Sequence, residues 1–156
     1  MPLAQQLIPY DLDLIVTSTE LKAIETGELT AQYLGIPYRI ESNLQEHARQ
    51  TAPYFLSKEE FQEAVITLLE KPAKLVFGEE TGLQARERFA GGIEAVMKTY
   101  PQENIAIVTH GTVLSLFVSH HTGLEIISFW RELGMPAIVA FSYPGMKLLS
   151  QINEIV

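Results

Sequence analysis

The chain has 156 residues, 47% of them hydrophobic, which suits one domain around one sizeable core and leaves little for a second. Lys and Arg number 11 against 19 Asp and Glu, a formal net charge of -8, so the body repels polyanions and nucleic acid is excluded as an expected partner. Cysteine is absent, which excludes a disulfide framework, a thiolate metal site and a thiol nucleophile, and fits a reducing compartment. The opening M-P-L-A-Q-Q-L-I-P-Y-D has no Lys or Arg before Lys22 and no sustained apolar core, unlike a secretory signal. No stretch is long and apolar enough for a bilayer, so the expectation is a cytoplasmic protein with no membrane partner.

Strand-like and helix-like hydrophobic periods then alternate along the chain, the pattern of an α/β layered domain. Residues 12–17, L-D-L-I-V-T, read as a buried strand. Thr19 is expected to cap a helix whose apolar face carries Leu21, Ile24, Gly27, Ala31 and Leu34 before Gly35 ends it. Residues 36–40 form the next short strand, and residues 41–56 have the Asn, Ser and Pro content of a surface loop, a place where function often sits. Ser57 and Glu60 make an S-x-x-E capping box for a helix with Phe61, Ala64, Val65, Leu68 and Leu69 inward. A helix over 81–99 buries Ala85, Phe89, Ile93 and Val96, with Gly91 and Gly92 allowing a close neighbour. Residues 105–109 read as a strand, 112–120 as a helix, and a short helix holds Phe129 and Trp130, residues expected in the core. Residues 137–142 return to strand, Tyr143, Pro144 and Gly145 turn the chain, and 147–152 close an antiparallel hairpin on an otherwise parallel sheet.

Two strands therefore end in small polar residues just before a helix, at Thr17-Ser18-Thr19 and at Thr109-His110-Gly111-Thr112. In an open α/β sheet the carboxyl ends of parallel strands share one edge, where ligands bind. The two motifs are expected to meet there. Ser18, Lys22 and His110 would then converge with the backbone N–H groups of Gly111 and Thr112, an anion pocket holding a histidine that titrates near neutrality.

These residues resemble the histidine phosphatase superfamily, the phosphoglycerate mutase-like family. T-S-T-E-L-K-A-I-E-T-G, running from Thr17 to Gly27, is similar to the family's Ser-Ser-Pro strand end and following helix, with Lys22 where the phosphate-binding Arg stands. L-Q-E-H-A-R, from Leu44 to Arg49, resembles the loop whose acid protonates the leaving group, at Glu46. G-E-E-T-G-L-Q-A-R, from Gly78 to Arg86, resembles the Gly-Glu-Ser segment and later Arg, and His110-Gly111 resembles the second catalytic histidine motif. The resemblance covers nearly the whole chain in order. It implies one three-layer α/β/α domain over 1–156, mostly parallel with a C-terminal antiparallel strand. It also implies phosphomonoester hydrolysis with His110 and Glu46 as catalytic residues and Ser18, Lys22, Gly111 and Thr112 binding substrate.

One departure matters. The family's nucleophile is a histidine in an Arg-His-Gly motif on an earlier, central strand, whereas the histidines here are His47, His110, His120 and His121, none preceded by Arg. The expectation is an N-terminally shortened sequence, or a sheet that closes the gap by direct pairing or strand exchange. An exposed central edge would favour pairing with another copy of the chain, a homo-oligomer. Plainer readings stand beside these: His110 as a core histidine, Glu46 and Lys22 as solvated side chains, His47 and Arg49 either binding substrate or facing water. His120, His121 and Glu125 do not make a zinc site, because neighbouring helical residues point about 100° apart. No G-x-x-x-x-G-K-[ST] or G-x-S-x-G occurs, which removes P-loop hydrolysis and serine hydrolysis. Two functions remain: a histidine phosphatase-like phosphomonoesterase impaired by the missing nucleophile, or a non-catalytic phosphate-binding or interaction module. The ligand would be a small phosphorylated substrate or phosphate, and neither reading requires a metal or another cofactor.

Overall fold

Leu14, Ile15, Val16 and Thr17 are all buried, and they form the strand around which the first half of the fold is organised. The computed structural model describes residues 1–156. In chain order the elements are α1 (Pro2–Leu7), a 3-10 turn (Ile8–Tyr10), β1 (Leu14–Thr17), α2 (Leu21–Leu34), β2 (Tyr38–Ile40), α3 (Lys58–Glu70), α4 (Gly82–Thr99), β3 (Ile105–Val108), α5 (Gly111–Thr122), α6 (Ile126–Glu132), β4 (Ile138–Phe141) and β5 (Leu148–Ile152). It is an α/β fold with a parallel sheet of three strands and a separate antiparallel pair. No helix is long and apolar enough to cross a membrane. Backbone contacts divide the chain into two compact units. One comprises Met1–Gln45, Arg88–His110 and Ile155–Val156, the other Glu46–Glu87 and Gly111–Glu154.

In the first unit the sheet order is β2-β1-β3, so β1 is flanked on both sides. It pairs in parallel with β2 from Ile15↔Tyr38 to Thr17↔Ile40, and with β3 from Leu14↔Ile105 to Thr17↔Val108. A strand enclosed in this way reads as a continuous apolar run rather than an alternating one, which is why L-I-V-T was legible. Along its length α2 sets small residues against the sheet: Ala23, Gly27 and Ala31 are buried at four-residue spacing. A Cβ on Gly27 would collide with the Thr17 methyl, so the helix backbone lies directly on the strand.

That approach corrects the expected helix face. Leu21 is 69% exposed and Ile24 half-buried, while Ala23 and Thr30 take the inward places, because a contact this close admits only short side chains. The cap also moves by one residue. Glu20, not Thr19, is the N-cap, in extended conformation, and its carbonyl accepts from Ala23 and Ile24 N–H. Gly35 ends α2 at φ 71°, as expected of a left-handed C-terminal glycine. Gly92 brings α4 against Leu44 and Asn43, whereas Gly91 faces open space, so one of the two glycines makes the close approach. The short α1, with Leu3, Ala4 and Leu7 buried, has no counterpart in the sequence reading because six residues give too little periodicity to detect.

In the second unit α3 begins as its capping box requires: Ser57 Oγ accepts from Glu60 N–H at 3.1 Å, and Glu60 Oε2 accepts from Leu56 N–H at 2.8 Å. Its inward stripe is Val65, Leu68 and Leu69. On α5, Val113, Leu116, Phe117 and Val118 are buried, and α6 buries Phe129 while leaving Trp130 half-buried. Glu125 caps α6, both carboxylate oxygens accepting from backbone N–H groups of Ile127 and Ser128. The C-terminal hairpin forms as expected, from Ile138↔Ile152 to Phe141↔Leu148, but as a two-stranded sheet of its own.

Candidate functional site

The chemistry-bearing side chains gather in two clusters, one in each unit. In the first unit β1 and β3 are parallel and in register, Thr17 opposite Val108, so the residues that follow leave the sheet side by side. Ser18 N–H donates to the Val108 carbonyl at 3.1 Å and extends the ladder one step past the strand. Thr109 Oγ1 ties the other chain segment down by donating to the Leu44 carbonyl at 2.8 Å. The result is a hydrogen bond of 2.7 Å between Ser18 Oγ and His110 Nε2, with Ser18 fully buried and His110 6% exposed. Glu20 N–H also donates to Ser18 Oγ, at 3.3 Å. The hydroxyl is thus held from both sides, and it holds the imidazole.

Glu20 adds a charge the sequence reading did not foresee. Its Oε1 lies 3.5 Å from His110 Nε2, an ion pair whenever the ring is protonated. The side chain makes no capping bond to α2, which lets it reach the ring. Lys22 Nζ lies 3.9 Å from Glu20 Oε2 and its side chain is 72% exposed. Of the first-unit residues expected in the site, Ser18 and His110 are thus in direct contact, and Lys22 is linked to them through Glu20.

The second cluster surrounds the start of α5. The first turn of a helix leaves N–H groups without intrahelical partners. Here a distant carboxylate takes them: Glu46 Oε2 accepts from Thr112 N–H at 3.0 Å and Oε1 from Val113 N–H at 2.8 Å. Oε1 also accepts from His47 N–H at 2.9 Å. Arg49 Nη2 donates to Thr112 Oγ1 at 3.2 Å and lies 3.9 Å from Glu46 Oε1, while its guanidinium rests 5.4 Å from the Phe61 ring centre and 5.5 Å from that of Phe77. Thr112 is therefore engaged through both backbone and side chain, and Gly111 begins the helix with open space where a Cβ would project. His47 is buried and fixed by a 2.7 Å bond from Nε2 to the Glu80 carbonyl. Burial lowers its pKa below the ordinary value of 6.5, which favours the neutral ring.

The remaining histidines lie on the last turn of α5, where His121 packs on Phe117. Burial first, then His120 and Arg86, lower the His121 pKa. No three His, Asp or Glu side chains converge as a metal would require.

The sequence profile of the histidine phosphatase superfamily (branch 1) matches residues 2–147. The chain belongs to the histidine phosphatase superfamily. Solved structures agree in fold. A mycobacterial glucosyl-3-phosphoglycerate phosphatase is 17% identical, with 96% of this chain and 81% of that one covered at a TM-score of 0.69. The same mycobacterial enzyme in complex with inorganic phosphate is matched at 19% identity, 84% and 68% coverage and a TM-score of 0.60. YhfR of Bacillus stearothermophilus is 19% identical over 97% of this chain and 78% of its own, with a TM-score of 0.66. Among curated proteins a sequence search found no match. For a histidine phosphatase the two strand ends and their Ser-His contact were readable from residue order. Glu20 was not, because a Glu after a Ser-Thr pair at a helix start looks like any solvated acid.

Proposed function

We propose that these residues recognise a phosphate monoester through His110, and that hydrolysis by way of a phosphohistidine is impaired in the 156 residues because they contain no Arg-His-Gly nucleophile. The observation that carries this reading is the 2.7 Å contact between the Ser18 hydroxyl and His110 Nε2 at the end of two parallel strands. A ring fixed in this way is an oriented group for an anion. Ser18 sets the ring, His110 contacts the phosphate oxygens, and Lys22, on the first turn of α2, contributes positive charge. By family resemblance Gly111 and Thr112 bind substrate and Glu46 is the proton donor; within the second unit the Thr112 N–H donates to Glu46 Oε2. The ligand class is a small phosphorylated molecule, in keeping with a fold neighbour solved with inorganic phosphate. Hydrolysis is the simpler chemistry, since a mutase must also retain and re-add the phosphoryl group. The reading is of a single cytoplasmic domain without a metal or organic cofactor.

A non-catalytic phosphate-binding module is the second reading. It is favoured by His110 being the sole histidine of the first unit. One experiment separates the two. The purified chain and His110→Ala are titrated with inorganic phosphate by calorimetry and assayed with p-nitrophenyl phosphate from acidic to neutral pH. Phosphate binding with weak turnover, both lost in His110→Ala, is the result expected of the impaired phosphatase; phosphate binding with turnover at background favours the binding module, and a wild-type chain that ignores phosphate overturns the site.

A further inference from the structure

Two consecutive acids, Glu79 and Glu80, are used in an unusual way for surface carboxylates: they hydrogen-bond the backbone of residues 48–51 and the His47 ring. Glu80 Oε1 accepts from Ala48 N–H at 2.9 Å, and the Glu80 carbonyl accepts from His47 Nε2 at 2.7 Å. Glu79 Oε1 accepts from Thr51 N–H at 2.6 Å and its Oε2 from Gln50 N–H at 3.1 Å, while Glu79 N–H donates to the Ala48 carbonyl at 3.0 Å. Burial pushes the Glu79 carboxyl up, but the N–H groups of Thr51 and Gln50 outweigh it and hold it below the ordinary carboxylate value. Gly78 makes this docking sterically feasible. It has φ +75°, and a Cβ there would strike the Ala48 carbonyl oxygen and crowd the Arg49 Cα.

The loop so held is the one that carries Glu46 and Arg49. Its hold on Arg49 is direct, since the His47 carbonyl accepts from Arg49 Nε at 3.2 Å, which turns the guanidinium toward Thr112. His47 therefore works at both ends: its ring is anchored on Glu80 and its carbonyl aims Arg49. The Nε2–H must be the donor to a carbonyl, so the buried Nδ1 carries only a lone pair, and it has no partner. The ring is kept for what Nε2 does.

We propose that Gly78, Glu79, Glu80 and His47 form a positioning template that sets Glu46 and Arg49 against the start of α5. These are positioning residues, acting through the loop. Their functional weight rests on the phosphate-ester reading above, whereas the positioning itself does not.

The test is residue-resolved amide hydrogen exchange on the whole chain, paired with titration by inorganic phosphate. Glu80→Ala and His47→Leu are expected to speed exchange at Thr112 and Val113 tenfold or more, although neither residue touches those amides. Glu80→Gln, which keeps an acceptor, and His47→Gln, which keeps a donor, are expected to stay within threefold of wild type. Glu79→Gln removes one of two acceptors without opening a cavity, so it serves if an Ala or Leu variant fails to fold, with exchange at Thr112 and Val113 expected to be about fivefold faster, beyond the threefold range of the controls. Faster exchange confined to residues 48–51, with Thr112 and Val113 unchanged, overturns the template. A wild type that binds phosphate as tightly as Glu80→Ala also overturns the template's functional role and leaves the site standing. A wild type that binds no phosphate, with the exchange pattern intact, sinks the site and leaves the positioning.

Discussion

A single carboxylate decides how attractive the His110 cluster is to an anion. Glu20 stands 3.5 Å from His110 Nε2 and Lys22 a further 3.9 Å from Glu20, so the lysine's charge is partly spent on a neighbour. The side chain of Glu20 is 35% exposed, so water screens it and its effect is modest. Exposed pairs of this kind are worth about 0.2–1 kcal/mol. Replacing Glu20 by Gln should tighten inorganic phosphate binding roughly two- to fivefold at low ionic strength, the gain shrinking as salt is added. Calorimetric titration at two salt concentrations checks this, and an affinity that does not respond would mean the carboxylate does not face the bound anion. The residue was invisible in the sequence for a physical reason. Its importance comes from the backbone turn between Ser18 and α2, which frees the side chain from capping, and no composition or spacing rule reports that.

Packing of α2 on β1 is governed by what is missing from the helix. Gly27→Ala drives a methyl into Thr17, whose branched side chain sits in a full core, and should cost about 1–3 kcal/mol. Gly91→Ala makes the opposite prediction. That helical glycine meets nothing within 4 Å, so alanine should stabilise by roughly 0.5–1 kcal/mol. Urea unfolding of the two variants tests both signs at once, and a neutral Gly27→Ala would show that α2 can lift off the strand. The contrast also shows where local reading of the sequence stops. The capping box of α3, the glycine that ends α2 and the turn into β5 are specified by residues close in sequence, so they are legible. Which face of α2 turns inward is specified by the sheet it lands on. Leu21 looked like core by hydrophobicity and is exposed, because the contact leaves no room for a leucine.

For the molecule as a whole, pH acts through groups whose protonation state folding has fixed. His47 and His121 have lowered pKa values in the fold, chiefly through burial, so the unfolded chain binds their protons first. Their contribution is complete above about 6.5, the ordinary histidine value, and is lost as pH falls below it toward the folded values. Glu79 and Glu125 behave likewise one step lower. Backbone N–H groups hold both carboxyls below 4.5, so their contribution is present above that value and disappears as pH falls through the folded ones. Urea midpoints measured against pH should therefore decline in two stages, and His47→Gln should flatten the first. A first stage unchanged in that variant would assign it to His121 alone. The layered α/β class and the Ser18-His110 contact could be read from strand ends, while the loop around Glu46 could not, because its geometry depends on Gly78, Glu79 and Glu80, whose bonds to it span 28 to 33 residues. The start of α5 extends that dependence to the folding process. Its first N–H groups close on a carboxylate 66 and 67 positions earlier in the chain. Until the loop has docked, water must take those N–H groups, so the capped first turn is an outcome of tertiary assembly and not a seed for it.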